Sequence, residues 1–291
     1  MLATFAAALA LTLPPPHLAA TIATGTAPCG GAAGFGAVWI ANDGSGTLAR
    51  VDPRTSRVTR RIKLARGACS VAVGAGAVWV VGYHDHVLWR VDPATLRVSS
   101  ASVGTTPFDV LVAFGRVWVT AWGDGTLVEV DPGTLAVLRR TAVGPKPNGL
   151  AARAGAIWVG FGEGAAVVRV DPAAGTVTSL PVGDQGPAWF AAGAADVWIS
   201  ANDSHLVHVD PAGGQVLARL PVGRTLAQAA QAPDGTIWVP DKEQNVVYRI
   251  DPLRQRVVDS FPAGPGAYFA LRAFGSMWVL SYAGDDVRRF G

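Results

Sequence analysis

Few side chains in this sequence have the type and spacing to do chemistry. His84-Asp85-His86 sets two imidazoles two residues apart, and His205 with His208 follows Asn202-Asp203. Imidazole pairs can hold zinc or copper, but both groups fall in polar turns of different repeats, so the expectation is solvated turns and no metal. No Ser stands in a nucleophile elbow, and no Gly-rich run opens a helix to cradle a phosphate. The chain has two Cys, Cys29 and Cys69. That is too few for a disulfide-dense scaffold or a four-thiolate zinc site. Chemistry must therefore come from residues gathered by the fold.

The elements that would gather them show in a repeat. Seven of the ten Trp stand at 39, 79, 118, 158, 198, 238 and 278, each preceded by Val, Ile or Met. The spacing is 40 residues, with one interval of 39. Thirteen residues after most of them comes Asp-Pro, at Asp52, Asp92, Asp131, Asp171 and Asp251, and Asp210-Pro211 follows at twelve. Periods of this length mark solenoids and propellers. In the second repeat, residues 68–74, 77–83, 87–91 and 97–103 read as strands separated by turns. Asp92-Pro93 makes the last turn, because Asp bonds nearby amides and Pro presets φ. Four strands per repeat is a propeller blade. The expected fold is all-β: a seven-bladed β-propeller of four-stranded blades.

The ends predict how the ring closes. The seventh repeat stops at Gly291, before its fourth strand, and the ATIATGTAP stretch from Ala20 matches the SASVGTTP stretch that ends a fourth strand at Pro107. Residues 18–24 are expected to supply the missing outer strand. Residues 1–13 form an apolar run before Pro14-Pro15-Pro16, too short to cross a bilayer. They fit the core of a secretory signal, with small residues at Ala19 and Ala20 for cleavage, although no Lys or Arg lies near Met1. The organisation expected is a signal peptide over residues 1–20 and one propeller domain over 21–291. The protein is expected to be secreted or held in the cell envelope, monomeric, with no membrane span.

Composition agrees with a packed, turn-rich protein. Half the residues are apolar, 15% are charged, and there are 35 Gly and 20 Pro, which excludes a disordered chain and a long-helix protein. The net charge is +3, but Lys occurs only as Lys63, Lys146 and Lys242. The one dense basic run, from Arg54 through Arg57, Arg60, Arg61 and Lys63 to Arg66, reads better as a charged outer strand than as a nucleic-acid footprint.

The blade plan resembles the YVTN-type bacterial propellers, as in SVGTTPFDVLVAFGRVWVTAWGDGTLVEVDPGT over residues 102–134. It is also similar to the streptogramin B (virginiamycin B) lyase family. That resemblance implies a Mg²⁺-assisted elimination opening a cyclic depsipeptide lactone. It would require His ten residues before the Trp of blades six and seven, and an acid four after the Trp of blade seven. Those positions here hold Gln228, Tyr268 and Tyr282. Gln has no useful basicity, and Tyr would need a large pKa shift.

The positions ten before and four after each repeated Trp should ring the axis on one face. They offer Asp43, Tyr83, Phe108, Trp122, Asn148, Asn202, Gln228, Lys242, Tyr268 and Tyr282. Aromatic anchors with amides suit a small molecule or peptide. The function expected is an exported binding module for a small molecule, peptide or envelope protein, without a cofactor. The alternatives are a lactone-opening enzyme with a displaced catalytic set, which alone would call for Mg²⁺, and a structural scaffold. Trp89, Trp122 and Trp189 lie outside the repeat, and Trp122 falls on the candidate face. Cys29 and Cys69 hold the same position in consecutive blades, so a bridge between blades one and two is expected. Two reduced thiols are the alternative.

Overall fold

A computed structural model describes residues 14–291 except 184, 192 and 203. Most of the expected signal segment, residues 1–13, lies outside the described residues. Seven four-stranded antiparallel sheets follow one another in a ring. Blade two runs Ala68–Gly74, Ala77–Gly82, Val87–Val91 and Val98–Ser102 from inside to outside, close to the strands expected from its sequence. The second strands are mostly apolar; AVWVVG over Ala77–Gly82 is buried along its whole length. Such a run buries both faces of the sheet, because a blade is sandwiched between its neighbours.

The ring closes as the sequence implied. Leu18–Ile22 pairs antiparallel with the last strand, Asp286–Phe290. The Gly291 amide donates to the His17 carbonyl at 3.0 Å. The core consists of seven layers between blades rather than one central mass. Trp39 of blade one packs with Val71, Val78, Val80 and Trp89 of blade two. Trp278 of blade seven packs with Val38, Ile40 and Ile22. Trp89 thus belongs to the core, where it lies over the bare backbone of Gly82.

A recurrent device surrounds the repeated Trp. The indole N–H of Trp39, Trp79 and Trp118 donates at 3.0 Å to the carbonyl five residues earlier, closing the turn between first and second strands. A cation then covers the ring, with Arg169 5.3 Å from the Trp158 centroid and Arg289 5.6 Å from that of Trp278. These arginines reach into the next blade. Arg169 donates to the Ala212 carbonyl at 2.9 Å and Arg289 to the Pro53 carbonyl at 2.6 Å. The turns at Pro53, Pro172 and Ala212 are thus clamped by a neighbouring blade, and the Asp-Pro turns are also folded locally. Asp92 Oδ1 accepts the Ala94 and Thr95 amides at 2.9 and 2.7 Å. In blade five His208 takes the place of Arg, stacked on Trp198 with centroids 4.1 Å apart.

Four residues of the basic run, Arg57, Arg60, Arg61 and Lys63, lie on the outer strand of blade one, Arg57–Lys63, with Arg54 and Arg66 just outside it. Arg61 bonds the Ala23 and Thr24 carbonyls. Charge along an edge strand discourages pairing with another chain.

Candidate functional site

Every first strand except that of blade six begins with a register shift. In blade three Pro107 pairs with Ala121 and Val110 with Val119, leaving one extra residue on the inner strand. The same shift occurs at Pro28/Gly30, Ala68/Val71, Pro147/Leu150, Pro187/Trp189 and Ala267/Phe269. A bulge of this kind bends the strand and re-aims its side chains. In blades three and five it brings Phe108 and Asp109, and Trp189, nine or ten residues before the Trp, to the inner end of the strand. The residue four after the Trp is held beside them by its own amide. Tyr83 N donates to Gly67 O, and Tyr282 N to Gly266 O, both at 3.0 Å. The two rings therefore share one face of the disc.

On that face a cavity of about 550 Å³ opens along the axis. Its walls include Asp43, Tyr83, Phe108, Lys242, Tyr268 and Tyr282, all expected from the sequence, together with His84 and the Cys29–Cys69 disulfide. The bridge joins blades one and two with the Cα atoms 4.9 Å apart. Gly30 permits that approach, since a Cβ there would lie 2.7 Å from the Cys69 carbonyl oxygen. An aromatic chain crosses the site. Tyr83 to Phe108 is 5.9 Å between centroids, Phe108 to Trp189 5.6 Å, Trp189 to Tyr268 6.1 Å and Tyr268 to Tyr282 5.7 Å. The Tyr282 hydroxyl donates to Asp43 Oδ2 at 2.7 Å.

The remaining expected residues lie elsewhere. Trp122 faces a separate open groove beside Gly144 and Pro145, with the Lys146 ammonium 5.4 Å from its ring. Asn148 is buried, and its side-chain oxygen has no hydrogen-bond partner. The Asn202 amide donates to the Gly162 carbonyl at 3.0 Å, tying blade five to blade four. Gln228 donates to the Phe190 carbonyl at 2.7 Å. Its backbone bridges to blade seven through Tyr268 and Ala270. Gln228 is thus a tether between blades.

Two residues of the axial face were not placed there by the sequence. Trp189 spans the gap between Phe108 and Tyr268 from blade five, lying over Gly149, where a Cβ would come 2.5 Å from the Ala188 carbonyl. Asp109 accepts from the Ser70 hydroxyl of blade two, from the Val110 amide at 2.9 Å and from the Leu150 amide of blade four at 2.7 Å. Burial outweighs these hydrogen bonds and pushes its carboxyl up to about 6. Burial likewise raises both phenols. Tyr282 is pushed up to about 12, with the Asp43 carboxylate adding to the effect, and Tyr268 goes higher still. Neither phenol can serve as a general base near neutral pH.

The imidazoles do not converge. His84 meets Tyr83 edge-on, His86 Nδ1 accepts the Thr106 amide at 2.9 Å, and His208 Nε2 contacts Asp196 at 3.1 Å. Among the described residues no three His, Cys, Asp or Glu side chains are grouped to hold a metal.

Solved propellers share this architecture. A selenomethionine-substituted virginiamycin B lyase from Staphylococcus aureus superposes with a TM-score of 0.80 at 13% identity, covering 91% of this chain and 94% of that one. A catalytically inactive virginiamycin B lyase from the same organism, solved with quinupristin, gives 0.81 at 13%, covering 95% and 98%. Hydrazine synthase from Kuenenia stuttgartiensis gives 0.75 at 14%, covering 90% and 95%. The likeness is one of fold, and one fold hosts many activities. No family model matches the chain, and no curated protein matches it. Among the described residues no helix is long and apolar enough to cross a membrane.

Proposed function

We propose that this protein is an exported binding module, built on a YVTN-like blade, that takes a small molecule, a peptide or part of an envelope protein into its axial cavity. The observation that carries this reading is the convergence of aromatic side chains from blades two, three and seven on one pocket of about 550 Å³. Pockets of a few hundred Å³ lined by aromatics with few polar groups are the usual form of a ligand site. The disulfide supports export, since such bridges persist in oxidising compartments. Mass spectrometry of material released on denaturing the purified protein tests it. A stoichiometric compound is expected, and its absence from protein isolated from its native source would contradict the reading.

An enzyme remains the second reading, on one observation. Asp109 is a carboxyl shifted toward neutrality beside the axial site, and such shifts cluster at functional positions. The donors at the lyase positions, one amide and two protonated phenols, do not fit a Mg²⁺ site, which favours carboxylates and water. Mg²⁺-dependent opening of a streptogramin B lactone, lost in Asp109→Asn, would replace the binding reading.

A further inference from the structure

The charges around the cavity are unevenly placed. Asp43, half-buried, turns its carboxylate to the Tyr282 hydroxyl at the wall. Asp109 stands next to Phe108 on the same inner strand, but its oxygens are taken up by the Ser70 hydroxyl and the Val110 and Leu150 amides. The basic side chains of the wall, His84 and Lys242, are both exposed, and exposed charges are screened by water and salt. The wall thus combines one acidic group, Asp43, with the rings of Tyr83, Phe108, Tyr268 and Tyr282.

Aromatic faces carry negative electrostatic potential, and several rings around one volume form a cage for an ammonium group that is poorly hydrated by water. A carboxylate beside such a cage adds direct attraction in a site shielded from solvent. An anion entering the same space would meet the Asp43 carboxylate and no buried cation of the wall. Resting on the axial-ligand reading above, we propose that the cavity selects organic cations: ligands bearing a quaternary or protonated amine on an apolar body. The ammonium lies between Tyr268, Tyr282 and Asp43, and the apolar body packs against Phe108 and Tyr83.

Matched probes of one shape and different charge test this. Phenyltrimethylammonium, its neutral isostere tert-butylbenzene and the anion 4-tert-butylbenzoate are titrated into the intact protein by calorimetry and by Trp fluorescence. The cation is expected to bind at least tenfold tighter than the neutral isostere, and the benzoate weakest. Asp43→Asn is expected to remove most of that preference while leaving tert-butylbenzene binding unchanged. Lys242→Ala should leave cation binding equal or tighter. If the neutral probe binds as well as the cation, or the benzoate binds better, the cation inference fails and the axial ligand site stands. If none of the three binds, both fail. A Trp122→Ala variant, altered outside the cavity, serves as the folded control.

Discussion

Trp189 of blade five and Phe108 of blade three lie 5.6 Å apart, ring centroid to ring centroid, across the axis of the propeller. No sheet joins those two blades, so the contact is made through the channel itself. Trp189 continues to Tyr268 of blade seven. It therefore links the aromatic rings of blades three and seven. Trp189→Ala should cost about 1–3 kcal/mol of stability. It should also weaken binding of the axial ligand while a two-state melt is retained. A variant that melts like the parent and binds unchanged would remove Trp189 from the site.

The Cys29–Cys69 bridge closes a loop of 40 residues. On the chain-entropy model that contributes about 4 kcal/mol, or roughly 10 °C in a protein of this size. Thermal melts with and without reductant should differ by that order. A thiol assay on the denatured, non-reduced protein should detect no free thiol, and two reactive groups would refute the bridge.

Ring closure is carried by Leu18–Ile22. A cut after Ala20 would leave only Thr21 and Ile22 in that strand, and would remove the Pro14 carbonyl that accepts from the Arg249 guanidinium at 3.0 Å. Deleting residues 14–22 should lower the melting temperature by several degrees and expose the edge of Asp286–Phe290, seen as concentration-dependent association. N-terminal sequencing of the exported protein reports whether Leu18 is kept. Unchanged stability in the deletion would mean that the ring does not depend on this strand.

Two groups of carboxyls give stability opposite dependences on pH. Backbone amides hold Asp52, Asp92, Asp131 and Asp171 below the usual range. Their folded pKa lies under the unfolded value of about 3.9. Their contribution is thus complete above that value and is lost as pH falls through the folded values. Asp109 is reversed. Burial raises it to about 6, so the folded state binds its proton more tightly than the unfolded chain does, and stability declines as pH rises from about 4 past 6. Urea midpoints from pH 2 to 8 should fall at both ends of that range, and Asp109→Asn should flatten the slope between pH 4 and 7. An unaltered slope would show that Asp109 titrates as a solvated carboxyl.

The blade count, the closing strand and the pairing of the cysteines were legible because each depends on one repeated spacing, that of Trp39 to Trp79 and onward. Six residues of the cavity were legible because Tyr83 and Tyr282 follow their Trp by the same interval, and Phe108 and Tyr268 precede theirs by another. Trp189 and Asp109 were not. In a regular strand consecutive side chains alternate faces, so residues nine before the Trp should turn away from those ten before it. The bulges at Pro107/Val110 and Pro187/Trp189 break that alternation, and nothing in the local sequence announces them. Gln228 departs for another reason. The inner strand of blade six is only Ala230–Gln231, and Gln228 before it bonds to blade seven, while Ala227 bonds Pro240 of its own blade.

The most direct test of the account is a crystal structure of the protein with the compound that co-purifies with it. The account predicts density in the axial cavity, in contact with Phe108, Tyr268 and Tyr282 and beside the Cys29–Cys69 bridge. An empty cavity, with the compound seated in the groove beside Trp122 or elsewhere on the surface, would contradict it.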